Sequence, residues 1–172
     1  MSIKGRFLWL GAGILALVFI ASFLWVRGGN ARQLDAVLPT EERQMLEMSE
    51  TFTLYSLHPN PEVDSQTLKT KPAFHSFLIL GQTQVKNNAT RTELLKVLYE
   101  ATGNGIGAYC FNPRHGIRAI RGNKTVDLVI CFHCGHMEIY DEHGQRTTTI
   151  GSSPQPAFDR VLTQENVPLT EQ

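Results

Sequence analysis

The chain has 172 residues, with sixteen Lys and Arg balanced by sixteen Asp and Glu, six His and three Cys. Lys4, Arg6 and Arg27 flank an apolar run near the start, so the rest carries thirteen bases against sixteen acids. That mildly acidic remainder excludes a global electrostatic footprint for nucleic acid or for an anionic membrane surface. About 140 residues beyond the run suffice for one domain with its own core, and no repeat or long low-complexity tract interrupts them.

Residues 7–26 read FLWLGAGILALVFIASFLWV, without a charge and with Ser22 as the one polar side chain. A helix of that length spans about 30 Å, the thickness of a bilayer's hydrocarbon core. Trp9 and Trp25 stand near its ends, where aromatic rings favour the interface. The run exceeds the ~7–15 apolar residues of a secretory signal peptide, so residues 1–27 read as an uncleaved, single-pass signal anchor. Lys4, Arg6 and the α-amine against Arg27 and Arg32 lean towards a cytoplasmic N-terminus, with the following domain on the periplasmic or extracytoplasmic side.

Gly28, Gly29 and Asn30 break the anchor and open a linker over residues 28–39, and a soluble domain is expected over 40–172. Thr40 followed by Glu41 and Glu42 predicts an N-capped helix to about Met48. TFTLYSL at 51–57 alternates as a strand, stopped by His58, Pro59, Asn60 and Pro61. A polar loop runs to Pro72. The stretch 74–85 has Phe77 and Ile79 on one face and Leu78 and Leu80 on the other, the pattern of an interior strand. Residues 88–90 start a helix with Leu94, Leu95, Val97 and Leu98 as its apolar contacts, and Gly103 stops it.

Beyond that helix a β-meander is predicted. Strands at 116–121 and 125–132 flank a turn at Gly122, Asn123 and Lys124. A turn at 131–135, a strand at 137–140, a turn at 142–144 and a strand at 146–150 follow. Ser153 and Pro154 open a last helix, with Phe158, Val161 and Leu162 facing inward. This order of elements predicts an α+β domain, an antiparallel meander sheet packed against two or three helices.

The chemistry concentrates in CFNPRH (110–115) and CFHCGH (131–136), which hold all three cysteines. The second segment is similar to the zinc knuckle of zinc-ribbon and rubredoxin-like domains, in which two thiolates on a hairpin turn reach one metal at about 2.3 Å. No second CxxC is present, so Cys110 and His115 are the candidates to complete a zinc site with Cys131 and Cys134. Three other readings stand beside it. Cys131 and Cys134 can form a disulfide or redox pair, favoured by an oxidising compartment, although no βαβ unit precedes them. Cys110 can serve as a nucleophile with His115 or His133 as base. Alternatively, Cys110 and Cys131 are ordinary buried residues and the histidines lie in surface loops. Haem attachment fails because Gly135 stands where CxxCH needs histidine.

Arg114, His115, Arg118, Arg121 and Lys124 form a basic stretch. They suit either a small anionic ligand or protein partner near Arg114, Arg118 and Arg121, or a solvated strand edge. Gly103, Gly105 and Gly107 follow a helix and lack the Lys–Ser/Thr ending of a phosphate loop, so they read as a helix stop and turn. Asn88 and Asn123 open glycosylation sequons, relevant only in a glycosylating compartment.

The stretch CFNPRHGIRAIRGNKTVDLVICFHCGHMEIY (110–140), with SSPQPAFDRVL (152–162), resembles an uncharacterised group of small bacterial membrane-anchored proteins. Their shared core is CFNPRHGIR…VDLVICFxC. The similarity covers about half the chain, chiefly 74–162, and implies a bacterial envelope setting without any activity. Two functions are therefore expected. The favoured one is an envelope-facing binding or interaction module stabilised by metal or a disulfide, since no catalytic carboxylate pair, nucleophile elbow or cofactor loop is present. The other is a thiol enzyme, a CxxC redox protein or a Cys–His catalyst.

Overall fold

The computed structural model describes residues 34–59 and 70–170. The predicted anchor at 7–26 lies outside them. Among the described residues no helix is long and apolar enough to cross a membrane. The chain divides into two compact units, Met1–Ala36 and Val37–Gln172, and the second holds every element described below.

That unit is α+β. Its elements are α1 (Thr40–Met48), β1 (Thr51–Leu57), β2 (Ala73–Phe74), β3 (Phe77–Gln84), α2 (Asn88–Ala101), β4 (His115–Arg121), β5 (Lys124–Cys131), β6 (His136–Asp141), β7 (Gly144–Thr149) and α3 (Gln155–Gln164). The strands form one antiparallel sheet in the order β2-β3-β1-β4-β5-β6-β7. The last four are the predicted meander. Each of its hairpins closes locally, with Gly122 and Gly144 at positive φ in the outer turns.

Residues 74–85 supply an interior strand, β3, as expected, but a more deeply buried one is β1. It pairs with β3 on one side and β4 on the other, and six of its seven residues are buried. β3 is bordered outside only by the two-residue β2, so most of its residues stay half-buried or exposed. Apolar residues on both faces of β3 therefore reflect a partly covered flank.

The two faces of the sheet have different covers. Phe52, Leu54, Ile117, Leu128 and Ile139, none of them exposed, form the main core on one face. The helices lie over it. Arg91 of α2 stacks on Phe52, Phe158 of α3 meets His115, and Glu42 of α1 pairs with Arg146. On the other face Tyr55, Leu57 and Val129 pack with Phe74 and Phe77 of the β2–β3 hairpin. Phe74 sits directly on Gly116, where any Cβ would strike its ring.

The cap of α1 differs from expectation, while α2 starts at Asn88 as expected. Pro39, not Thr40, occupies the N-cap of α1, and the Thr40 hydroxyl accepts instead from Arg43 Nη2 at 3.1 Å. In α2 the cap is Asn87, whose carbonyl oxygen accepts from the backbone N–H of Ala89 and Thr90 at 2.8 and 3.2 Å.

Candidate functional site

The segment from Thr102 to β4 folds back across the turn between β5 and β6. Thr102 bridges to Ile150, Ile150 N donates to Gly135 O, and Ala108 N donates to Cys134 O at 2.9 Å. Two glycines permit this close approach. Gly135 has φ +69°, and a Cβ there would stand 2.7 Å from Ile106 O. Gly107 faces the tip of the His136 ring, which a side chain there would have to displace. The glycine stretch expected only to stop a helix therefore also brings its loop down onto the CxxC turn.

The loop delivers Cys110. Its Sγ lies 3.1 Å from Cys134 Sγ, while Cys131 and Cys134 stand at disulfide distance with Cα atoms 5.2 Å apart. Cys131 and Cys134 are each 1% exposed, whereas Cys110 is exposed. Backbone donors point at both buried sulfurs: Cys134 N to Cys131 Sγ at 3.0 Å, and Asn112 N to Cys134 Sγ at 3.3 Å. Hydrogen bonds of this kind favour the charged form of a sulfur that becomes a thiolate. The arrangement is one accessible thiol in contact with one end of a buried sulfur pair.

His115, the fourth member of the predicted zinc set, is not beside the sulfurs. It pairs with Ile130, so its ring shares Ile130's face, and the adjacent Cys131 points to the other. There His115 is 2% exposed, rests against Phe132 and Phe158, and places Nε2 2.8 Å from Asp159 Oδ1. His136 is the histidine directly opposite Cys131 across the β5–β6 ladder. Sequence spacing ranked His115 first because it follows Cys110 closely, but strand parity selects His136. Among the described residues no group of three or more His, Cys, Asp or Glu side chains is arranged to hold a metal ion.

The basic stretch is divided among separate partners. Arg118 grips Asp127 through Nε at 2.8 Å and Nη2 at 2.6 Å, and His75 Nε2 lies 2.7 Å from the same carboxylate. Burial pushes the Asp127 carboxyl upward, but the Arg118 fork and the His75 contact outweigh it and hold it below the usual range. Lys124 sits between Glu41 and Glu142 at 2.7 and 2.8 Å. Arg121 is exposed beside Met48. Arg114 lines a pocket, with Nε buried and without a hydrogen-bond partner among the described residues. No protein family, curated protein or solved structure matches the chain, and its own geometry is the basis for reading the site.

Proposed function

We propose that the chain is a membrane-anchored thiol–disulfide exchange module, working on the extracytoplasmic side through Cys110, Cys134 and Cys131. The observation that carries this reading is the 3.1 Å contact between the exposed Cys110 thiol and the buried Cys134 sulfur. A disulfide that merely braced a binding module would need no third thiol there, so the cluster shifts the balance from the binding reading to the thiol one. The uncharged run at 7–26 supports the anchor, and the charge bias around it supports the orientation.

The chemistry balances within the cluster. The Cys110 thiolate attacks Cys134 Sγ, a Cys110–Cys134 bond forms, and the Cys131–Cys134 bond breaks. Cys131 leaves as a thiolate, stabilised by the hydrogen bond from Cys134 N. The new disulfide has one exposed sulfur, Cys110, open to attack by a thiolate of a partner protein's dithiol. That partner loses two electrons as its own disulfide forms, and Cys110 and Cys134 take them up as thiols.

Thiol mapping on the full chain in detergent tests this. Alkylation and mass spectrometry should trap a Cys110–Cys134 disulfide with Cys131 alkylated, and a peptide dithiol added first should give three alkylated cysteines and an oxidised peptide. Cys110→Ser should keep the Cys131–Cys134 bond and lose oxidation of the peptide. A Cys131–Cys134 bond that never exchanges with Cys110 would return the domain to a braced binding module. Three reduced cysteines with one equivalent of zinc would favour the second reading, a thiolate metal site.

Orientation is tested separately. An alkaline phosphatase fused after Gln172 is expected to be active, and activity only of a cytoplasmic reporter fused there would reverse the assignment.

A further inference from the structure

We propose that a pocket between β1, β4 and α3 binds a small organic carboxylate. Its walls include Ser56 of β1, Arg114 and His115 at the start of β4, Gln155 and Asp159 of α3, and Leu169. Its cavity volume is about 320 Å³, at the lower end of the ~300–1,000 Å³ usual for small-molecule sites. Thr170 secures the wall formed by the C-terminal stretch, since its hydroxyl donates to Leu57 O at 2.8 Å. Ser56 and His115 in its walls point to the opposite sheet face from Cys131, so this inference does not rest on the thiol reading.

Two polar groups in these walls lack hydrogen-bond partners among the described residues. Ser56 is 1% exposed, and its buried Oγ makes no hydrogen bond. It lies directly opposite His115 across the β1–β4 ladder, so both side chains share a face. The Arg114 Nε–H is likewise buried and unpaired. Leaving such groups unpaired inside a protein is costly, whereas an acceptor reaching both recovers the loss. A carboxylate supplies one oxygen for the Ser56 hydroxyl and another for the Arg114 fork.

The charge around the pocket sets the class. Asp159 is engaged by His115 Nε2, and Arg114 has no acid partner among the described residues. α3 begins at Gln155, so the positive end of its dipole adds to Arg114. A guanidinium with no acid partner among the described residues suits a monoanion, while the Asp159 carboxylate opposes the second charge of a phosphate. Leu169 gives the pocket an apolar wall, which fits a short aliphatic chain behind the carboxylate.

Butyrate is the probe, added to the full chain in non-ionic detergent at ionic strength fixed with chloride. The unfolding midpoint, followed by far-UV circular dichroism, should rise saturably with butyrate and much less with inorganic phosphate. Arg114→Ala should weaken butyrate roughly tenfold or more, as expected for a lost charged hydrogen bond, and Arg121→Ala should leave it unchanged. Ser56→Ala should raise the midpoint without butyrate, by removing an unpaired buried hydroxyl, and also weaken butyrate. If Arg114→Ala does not fold, the opposed pair of Ser56→Ala effects decides. No saturable rise, an equal response to phosphate, or undiminished binding in Ser56→Ala or Arg114→Ala would overturn the site.

Discussion

Replacing Asp127 with alanine is expected to destabilise the Val37–Gln172 unit by about 3 kcal/mol, measured by urea unfolding of the full chain in detergent. The side chain is 5% exposed and accepts from Arg118 twice, with His75 against the same carboxylate. Removing one partner of a buried ion pair costs about 3–5 kcal/mol because the other charge is left uncompensated. Arg118 is 38% exposed and regains some solvation, which places the expectation at the lower end. The loss should also reach the β2–β3 turn. His75 and Ser76 both have positive φ, at 46° and 73°, a conformation that costs a residue with a side chain about 1–3 kcal/mol. The Asp127 contact and the stack of His75 on Tyr140 hold that turn in place. Faster amide exchange over residues 73–78 should accompany the substitution.

The same carboxylate predicts a pH dependence. Its folded-state pKa is depressed, so its contribution is fully present above the unfolded value of about 3.9. The contribution is lost as the pH falls through the folded value. The stability gap between the wild type and Asp127→Ala should thus be constant from pH 7 to 5 and narrow below about pH 4. A gap that stayed constant down to pH 3 would remove Asp127 as the source of the depression. Asp127→Asn keeps the size and one acceptor, and is expected to fall between the two.

How much of this was legible in the sequence follows from the range of each interaction. The meander could be read because each turn and both its strands lie within a few residues. The central position of β1 could not, because its neighbours β3 and β4 are chosen by pairing over long separations. The CxxC turn with Gly135 was visible as a knuckle, and Cys110 was named with it. Burial of the turn was not visible, since Cys134 is covered by a loop that leaves α2 more than thirty residues earlier. His115 illustrates the finest limit. Side chains alternate along a strand, so a one-residue difference in register decides whether His115 meets the sulfurs or Asp159. The basic stretch likewise looked unpartnered because Glu41 reaches Lys124 across 83 positions.

Gly135→Ala is expected to separate the buried sulfur pair from the thiol that reacts with it. Two costs fall on this residue together. An alanine at φ +69° carries about 1–2 kcal/mol of backbone strain, and its Cβ would stand 2.7 Å from Ile106 O and 3.2 Å from Ile106 C. Those atoms belong to the backbone and cannot rotate aside, so the covering loop must move. The bonds from Ala108 N to Cys134 O and from Asn112 N to Cys134 Sγ are strained by that movement, and Cys110 moves with them. A loss of at least about 2 kcal/mol is expected from strain plus clash. The Cys131–Cys134 bond should persist, because both residues belong to the β5–β6 hairpin and its turn. Gly122→Ala is the matched control, with φ +58° but nothing within 4 Å of the added Cβ. It should show the backbone strain alone and leave the yield of Cys110–Cys134 disulfide trapped by alkylation unchanged. Gly135→Ala should reduce that yield at least about tenfold, since exchange depends on holding the reacting sulfurs in contact. An equal yield from the two alanine variants would mean that the covering loop does not position Cys110, and the exchange reading would lose its geometric basis.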